Sequence, residues 1–468
     1  MILYSFIGFL VLFIIVGLLS KYKQKGNVED YVLASRSTSP YLLGLSTFAT
    51  NNSGFMFTAL IGYIYMVGLS AIWITVPWIL GDMLASYLFM SKIYKLSLKN
   101  DSLTYLDILT KFNNNNYKYF RLMGAILIVL FLSLQASAQL KATSYAFNAI
   151  LGWEIYAGAI VAAIIILVYS FAGGIRASIW TDLVQSLIMF VSMVILLVVC
   201  VNALGGFANF FKDLNAISGD YMDFFPDNMR FGKFFGPILL VMGFAFGGAG
   251  FLGQPHLVIR FIAMRKVGDI NKVRASYYGG YAVFATIVFM VGFAIKLLMP
   301  DISNISKEFL LFSVANNMLP EILVGIILAG LFSAAVSSID SQVLSSSSSI
   351  VNDLKIFRGN NIYLYNKLAT AFVIILALIL SLVNSDTIFN IVFDAWAVLT
   401  VMFVPLIILL ALDHHFSEKL AFFMSIGGFI AVLIWHFFGY PQDIYDVVIG
   451  LIVSFLIYVN FKNNKYFK

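Results

Sequence analysis

Apolar residues run along this chain in long uninterrupted blocks, separated by short polar stretches. A helix rises about 1.5 Å per residue, so about 20 apolar residues cover the roughly 30 Å of bilayer hydrocarbon. Read this way, the pattern predicts an all-α membrane protein with thirteen transmembrane helices. They fall at 3–20, 40–68, 71–91, 120–150, 154–172, 179–203, 232–258, 276–299, 309–350, 363–384, 388–411, 418–437 and 443–460. The blocks 40–68, 232–258 and 309–350 are too long and too polar for a simple crossing, and breaks or bends are expected in them. The first block is followed by Lys21, Lys23 and Lys25. A cleaved signal peptide carries its positive charge before the apolar run. Met1–Ser20 is therefore read as a first transmembrane helix with its N-terminus outside.

Composition supports this picture. Of the 468 residues, 61% are hydrophobic and 11% charged, against about 25% charged in a soluble domain. Lipid must be the solvent. The net charge of +6 would suit nucleic acid if it were clustered, but it is not. With the N-terminus outside, 23 Lys and Arg fall in inside segments, four in outside loops and two within spans. This is the charge asymmetry of a multi-pass protein of the plasma (inner) membrane with a cytoplasmic C-terminus. The acidic loop of Asp213, Asp220, Asp223 and Asp227 then lies outside. The longest loops are 92–119 and 204–231. The single cysteine, Cys200, sits in an apolar run and reads as a packed side chain. The expected organisation is a first helix and cytoplasmic loop at 1–39, a five-helix unit at 40–203, and an extracellular loop at 204–231. A second five-helix unit at 232–411 and two peripheral helices with a tail at 412–468 complete it.

Candidate chemistry lies where polar and small residues interrupt apolar blocks. In hydrocarbon, an unwound helix survives only where its freed backbone faces a cavity, an ion or a substrate. Thr50, Asn51, Asn52, Ser53 and Gly54 fall in the middle of the second block. Their carbonyls and hydroxyls suit a hard cation. The ninth block offers Ser337, Ser338 and Ser341 on neighbouring faces, with the carboxylate of Asp340. Oxygen donors with little formal charge favour sodium over a divalent or transition metal. Asp182 either ligates a cation, relays protons or caps a helix beginning near Ile179. The stretch Gly243 to His256 contains five glycines and Pro255, and reads as a second broken helix. Breaks in blocks two and seven are five spans apart, the spacing of two inverted five-helix repeats. Ser345 to Ser349 continues a span and is expected to line a polar cavity. His256, beside Arg260, reads as structural, and Asp394 as an acid near the outer mouth or paired with a cation.

Four segments together resemble the sodium/solute symporter family, most closely its proline-carrying branch. They are Ala34-Ser-Arg-Ser-Thr-Ser-Pro40, Phe171-Ala-Gly-Gly-Ile-Arg-Ala-Ser-Ile-Trp-Thr-Asp-Leu-Val-Gln185, Gly253-Gln-Pro-His-Leu-Val-Ile-Arg-Phe261, and Ser337 to Gln342 followed by Asn352-Asp-Leu354. The resemblance implies a leucine-transporter-type fold with an inverted repeat of five plus five helices. It implies a sodium site with carbonyls from Ala49, Asn52 and Ala334 and hydroxyls from Ser337 and Ser338. Some relatives have a second sodium site, whose matching positions here are Asp182, Ser337, Asp340 and Ser341. The solute would contact Asn51, Ser53, Gly54, Phe55, Gln135, Phe251 and Ser341. Proline carriers have aspartate at the position of Asn51, tyrosine at Gln135 and Phe251, and tryptophan at Gly247. The pocket here is thus expected to be roomier and more polar, and proline itself is doubtful.

The expected function is sodium-coupled uptake of a small polar solute by alternating access: an amino acid such as proline, or alternatively sialic acid or another organic acid. Sodium, the solute and the lipid bilayer are the expected partners, with no nucleic acid and a monomer as the working unit. No catalytic cluster suggests an enzyme. A solute sensor is the rival of another class, and the short tail beyond the last span offers it no output domain.

Overall fold

The computed structural model describes the chain except for residues 24–26, 113–114, 218, 227–228, 230, 302–305, 357–360, 440–443 and 463–468. Lys25, Asp227, Arg230, Arg358 and the last two lysines of the charge count therefore lie outside the described residues. Helices make up nearly everything else. They are α1 (Ile2–Leu19), α2 (Pro40–Asn51), α3 (Ala59–Val67), α4 (Ile72–Ala85), α5 (Lys118–Leu151), α6 (Ile155–Ala203) and α7 (Gly232–Ala249). Then come α8 (Pro255–Ile262), α9 (Ile270–Leu298), α10 (Glu321–Ser348), α11 (Ile362–Val383), α12 (Ile388–Ala411), α13 (Glu418–Phe437) and α14 (Val447–Phe461).

Among the described residues, ten helical runs are long and apolar enough to cross a membrane, and two shorter apolar helices accompany them. The boundaries differ from the sequence pattern where backbone geometry, rather than hydropathy, sets them. Blocks two and three join into one helical run, Gly54–Lys99. Its 46 residues would reach about 69 Å if straight, more than twice the hydrocarbon thickness. Gly68, at φ +68°, turns the chain between α3 and α4. Blocks five and six are likewise one helix, α6, kinked at Gly174 with φ +58° and ψ −151°. Block nine divides at Pro320 into Leu310–Met318 and α10, and α10 then runs unbroken through its serines into a π turn at Ser349–Asp353. The presumed long loops carry short helices of their own, among them Tyr105–Thr110 and Phe207–Asn215.

Bulky side chains such as Leu84, Val283, Phe372 and Ile375 are more than half exposed on the outward faces. Water would not tolerate such a belt, whereas lipid solvates it. Between helices the driving force is close packing, so small residues mark the crossings. A Cβ on Gly81 would lie 1.8 Å from the Ala245 carbonyl oxygen, and one on Gly248 would lie 1.9 Å from that of Trp78. These two glycines let α4 and α7 touch backbone to backbone. Gly330 leaves room on α10 for the Ser192 side chain of α6, whose Oγ would lie 2.0 Å from a Cβ there. Cys200 is fully buried, as its apolar setting suggests.

Replacing Gly248 with leucine should lower the thermal midpoint in detergent, since the blocking atom is backbone and the overpacking cost is at least about 1–3 kcal/mol. Gly279→Ala is the matched control. Its Cβ would meet nothing within 4 Å, and the change should be neutral or stabilising by up to about 1 kcal/mol.

Candidate functional site

α2 ends where its sequence turns polar. Asn52 leaves helical geometry (φ −89°, ψ 73°) and Ser53 is extended before the short turn Gly54–Phe57. The backbone N–H groups past the break are recaptured individually. Gly54 N–H donates to Gln139 Oε1 at 2.9 Å, and Phe55 N–H donates to Ser53 Oγ at 3.3 Å. On the acceptor side, Ser338 Oγ of α10 donates to the Thr50 carbonyl at 2.7 Å and lies 3.1 Å from that of Ala334. One hydroxyl thus spans the end of α2 and the middle of α10. Ala49, Asn52, Ala334, Ser337 and Ser338 are all buried around this junction. The side-chain oxygen of Asn52 is also buried and has no hydrogen-bond partner among the described residues. Carbonyls, hydroxyls and an unpartnered amide oxygen in a dry junction are a donor set that fits a monovalent hard cation.

Arg260 provides what the sequence reading missed. Counted among the loop cations, it is instead 1% exposed, on α8. Its guanidinium meets Asp182 Oδ2 at 3.0 Å, Ser46 Oγ at 2.8 Å and Ser178 Oγ at 3.1 Å, and also donates to Ser341 Oγ. Asp182 accepts in addition from Ser46 Oγ and Ser337 Oγ, both at 2.5 Å. Three of the four positions matched to a second sodium site, Asp182, Ser337 and Ser341, thus already face a permanent cation or its partner. Asp340 is 2% exposed on the same helix. The capping role considered for Asp182 is excluded, because it lies about two turns past the Gly174 kink and not in a first turn. The signal that could have been read is an arginine placed among Leu257, Val258, Ile259, Phe261 and Ile262, directly after the seventh block.

The solute-contact candidates divide. Gln135, Gln254 and Gln342 form a chain of amides: Gln342 Nε2 donates to Gln135 Oε1 at 3.1 Å, and Gln135 Nε2 to Gln254 Oε1 at 3.3 Å. Ser341 adjoins α2 through Thr50 Oγ1 at 3.0 Å. Phe251 is fully buried with its ring 5.4 Å from that of Phe261. Phe55 instead belongs to an aromatic cluster with Phe389 and Phe393, whose centroids are each 5.7 Å away. Trp78, Trp396 and Tyr63 extend this cluster. On its far side opens a cavity of about 1150 Å³ bounded by Tyr63, Asp301, Glu308, Thr387 and Phe389. At the Lys/Arg-rich end a cavity of only about 30 Å³ touches Arg260, Ser341, Ser345, Ser348 and Ser349 together with Val32, Ile175, Ile259 and Leu344, so part of the serine run borders a space of mixed polar and apolar lining. Below it, Asp107 is held below the usual carboxylate range: burial raises it, but Lys111, the Leu103 N–H and Arg121 more than offset that.

Asn51 points away from the junction. Its Nδ2 donates to Tyr277 Oη at 2.7 Å, and Tyr277 and Tyr278 donate to Asp82 at 2.5 and 2.8 Å. The acid in α4 received no role from sequence, although a carboxylate inside an apolar block is a functional flag. Lys141 is also remote, donating to the carbonyls of Asn384 and Asp386 beyond α11.

A broken helix facing a hydroxyl-rich helix is the geometry of an ion-coupled carrier, and the comparisons agree. Residues 31–428 match the profile described as "Sodium:solute symporter family". The chain belongs to that family. Among curated relatives, the sodium/proline symporter of Staphylococcus aureus is 29% identical over 97% of this chain and 91% of its own. Among solved structures, a Na⁺-coupled sialic acid symporter in a substrate-bound outward-open state aligns with TM-score 0.79 at 20% identity. That alignment covers 98% of this chain and 96% of the other. MhsT in complex with L-phenylalanine aligns with TM-score 0.55 at 15% identity, covering 90% and 97%. These likenesses establish a shared transporter fold. As a family member the chain is a multi-pass membrane protein of sodium-coupled solute symport.

Arg260→Ala leaves Asp182 buried and uncompensated and should cost about 3–5 kcal/mol in detergent unfolding. The double change Asp182→Ala/Arg260→Ala should cost less than the sum of the two single changes, because the unpaired charge is gone.

Proposed function

We propose that the chain carries a small polar organic solute into the cell together with one sodium ion. The observation that carries this reading is the Ser338 hydroxyl linking the carbonyl end of broken α2 to α10. Sodium at that junction, held by Ala49, Asn52, Ala334, Ser337 and Ser338, would tie the two helices and order the break against which the solute rests. Arg260 occupies the surroundings of Asp182, so its guanidinium replaces a second sodium. In this reading the chain crosses the bilayer thirteen times, with 40–203 and 232–411 as inverted five-helix repeats around the site, and works as a monomer. The Lys/Arg-rich end faces the cytoplasm and the wide cavity faces outside. A monovalent cation entering gains about 2.3 kcal/mol per 100 mV, which drives accumulation.

The solute would rest among Ser53, Gly54, Gln135, Phe251 and Ser341, under the Phe55 cluster. The amide chain of Gln135, Gln254 and Gln342 supports a neutral or zwitterionic polar solute, with an amino acid first and sialic acid or another organic acid as the alternative. Thermal-shift measurements of the purified protein against amino acids, sugars and organic acids, each in sodium and in matched potassium, test the reading. A solute that stabilises only in sodium is the expected result, since coupled binding raises apparent stability. Stabilisation indifferent to sodium would point to a sensor or a proton-coupled carrier and overturn it.

Ser338→Ala removes one hydroxyl from the junction. Loss of such a partner is worth about 1.4 kcal/mol, so the sodium concentration for half-maximal uptake into proteoliposomes should rise about tenfold.

A further inference from the structure

Away from the central site, three side chains converge from three helices. Asp394 stands in the first third of α12, His436 at the C-terminal end of α13 and Asp446 immediately before α14. One ligand atom from each lies within 4.8 Å of the others. The three helices meet here side by side, held by Tyr445 Oη on the Phe393 carbonyl at 2.8 Å and by Trp435 Nε1 on that of Ile444 at 3.2 Å.

Asp446 is the informative member. Its residue is 2% exposed, and its Oδ1 is buried without a hydrogen-bond partner among the described residues. Its Oδ2 points at His436 Nδ1, 3.9 Å away. A buried carboxylate oxygen with no donor, close to a second carboxylate, is costly unless the acid takes up a proton or a cation compensates it. A protonated His436 would answer one of the two acids, but at 3.9 Å it makes no hydrogen bond. With His436 neutral, its nitrogen is a donor to a metal, and two carboxylates balance a divalent ion.

We infer that Asp394, His436 and Asp446 form a binding site for a divalent transition-metal ion of the zinc class. Mixed imidazole and carboxylate donors favour zinc over calcium or sodium. Three protein ligands leave a fourth position for water. Donors around zinc lie about 3.3 Å apart for bonds of about 2.0–2.1 Å, so separations of up to 4.8 Å must shorten by at most about 1.5 Å. The His436 side chain, 56% exposed and 3.9 Å from Asp446, can supply part of that movement. A bound ion would fasten the outer part of α12 to α13 and α14, one residue from Phe393 in the aromatic cluster.

The test uses the full chain, purified without a histidine tag, stripped with EDTA and titrated with zinc chloride by calorimetry, with bound zinc counted by elemental analysis. One zinc per chain is expected. Its affinity should fall about 10- to 100-fold or more in His436→Ala and in Asp394→Asn. Both changes are at accessible positions and leave the buried acid in place. His414→Ala/His415→Ala, at the other end of α12, should keep the wild-type affinity. Absence of stoichiometric zinc, or zinc binding that His436→Ala leaves intact, overturns the site. Neither outcome depends on which solute is carried or on sodium coupling.

Discussion

The Arg260–Asp182 pair, in which each side chain is 1% exposed, sits where α2, α6, α8 and α10 meet, and the site is built around it. Two isolated charges in such a place would be prohibitive, and together they are tolerable only if their remaining hydrogen-bonding capacity is met. Ser46, Ser178, Ser337 and Ser341 meet it. Ser46 lies on α2 itself and Ser337 and Ser341 on α10, whose Ser338 meets the Thr50 carbonyl, so satisfying the pair helps fix how α10 presents itself to the break. Two serines of α10, Ser337 and Ser341, answer this demand.

The break itself obeys the same rule of complete pairing. Hydrocarbon offers no water to unsatisfied backbone groups. At Asn52 the chain leaves the helix, and side chains from α5 and α10 replace the lost partners: Gln139 for the Gly54 N–H and Ser338 for the Thr50 carbonyl. A monovalent cation at this junction, as proposed, would meet oxygen donors already held in place, and its binding would act on the relation between α2 and α10 and on the surface beside Ser53 and Gly54. Sodium and solute would thus communicate through a shared piece of backbone, without a relay across the protein.

The approaches to the site are unequal. On one side stands a wide cavity bordered by Asp301, Glu308 and Thr387, with Phe389 in its wall and the rings of Phe55 and Phe393 packed against Phe389. On the other a space scarcely larger than water reaches Arg260 between the serines of α10 and Tyr105. Aromatic rings make an effective seal because they fill volume with few rotatable bonds. The polar end is closed differently, with Arg121 joining Asp107 at 2.7 Å and Thr104 donating to Asp353 at 2.8 Å.

Hydropathy by itself determined that the chain is an all-α membrane protein, because crossing lipid demands long apolar helices. The polar runs at Thr50–Gly54 and Ser337–Ser341 marked the candidate site, where the structure breaks α2 against α10, because lipid penalises such residues unless they are used. Glycines and Pro255 marked the second break. What hydropathy could not decide was set by backbone conformation and by contacts distant in sequence. The φ angles of Gly68 and Gly174 determine where one helix becomes two, and neither changes the apolar count. Arg260 looked like a loop cation because it is counted near Arg265 and Lys266; only the fold places it against Asp182, 78 positions earlier. The Asn51–Tyr277–Asp82 network joins α2, α9 and α4 and was likewise beyond any local pattern. Sequence names the residues that cannot face lipid, and tertiary structure alone decides which of them compensate one another.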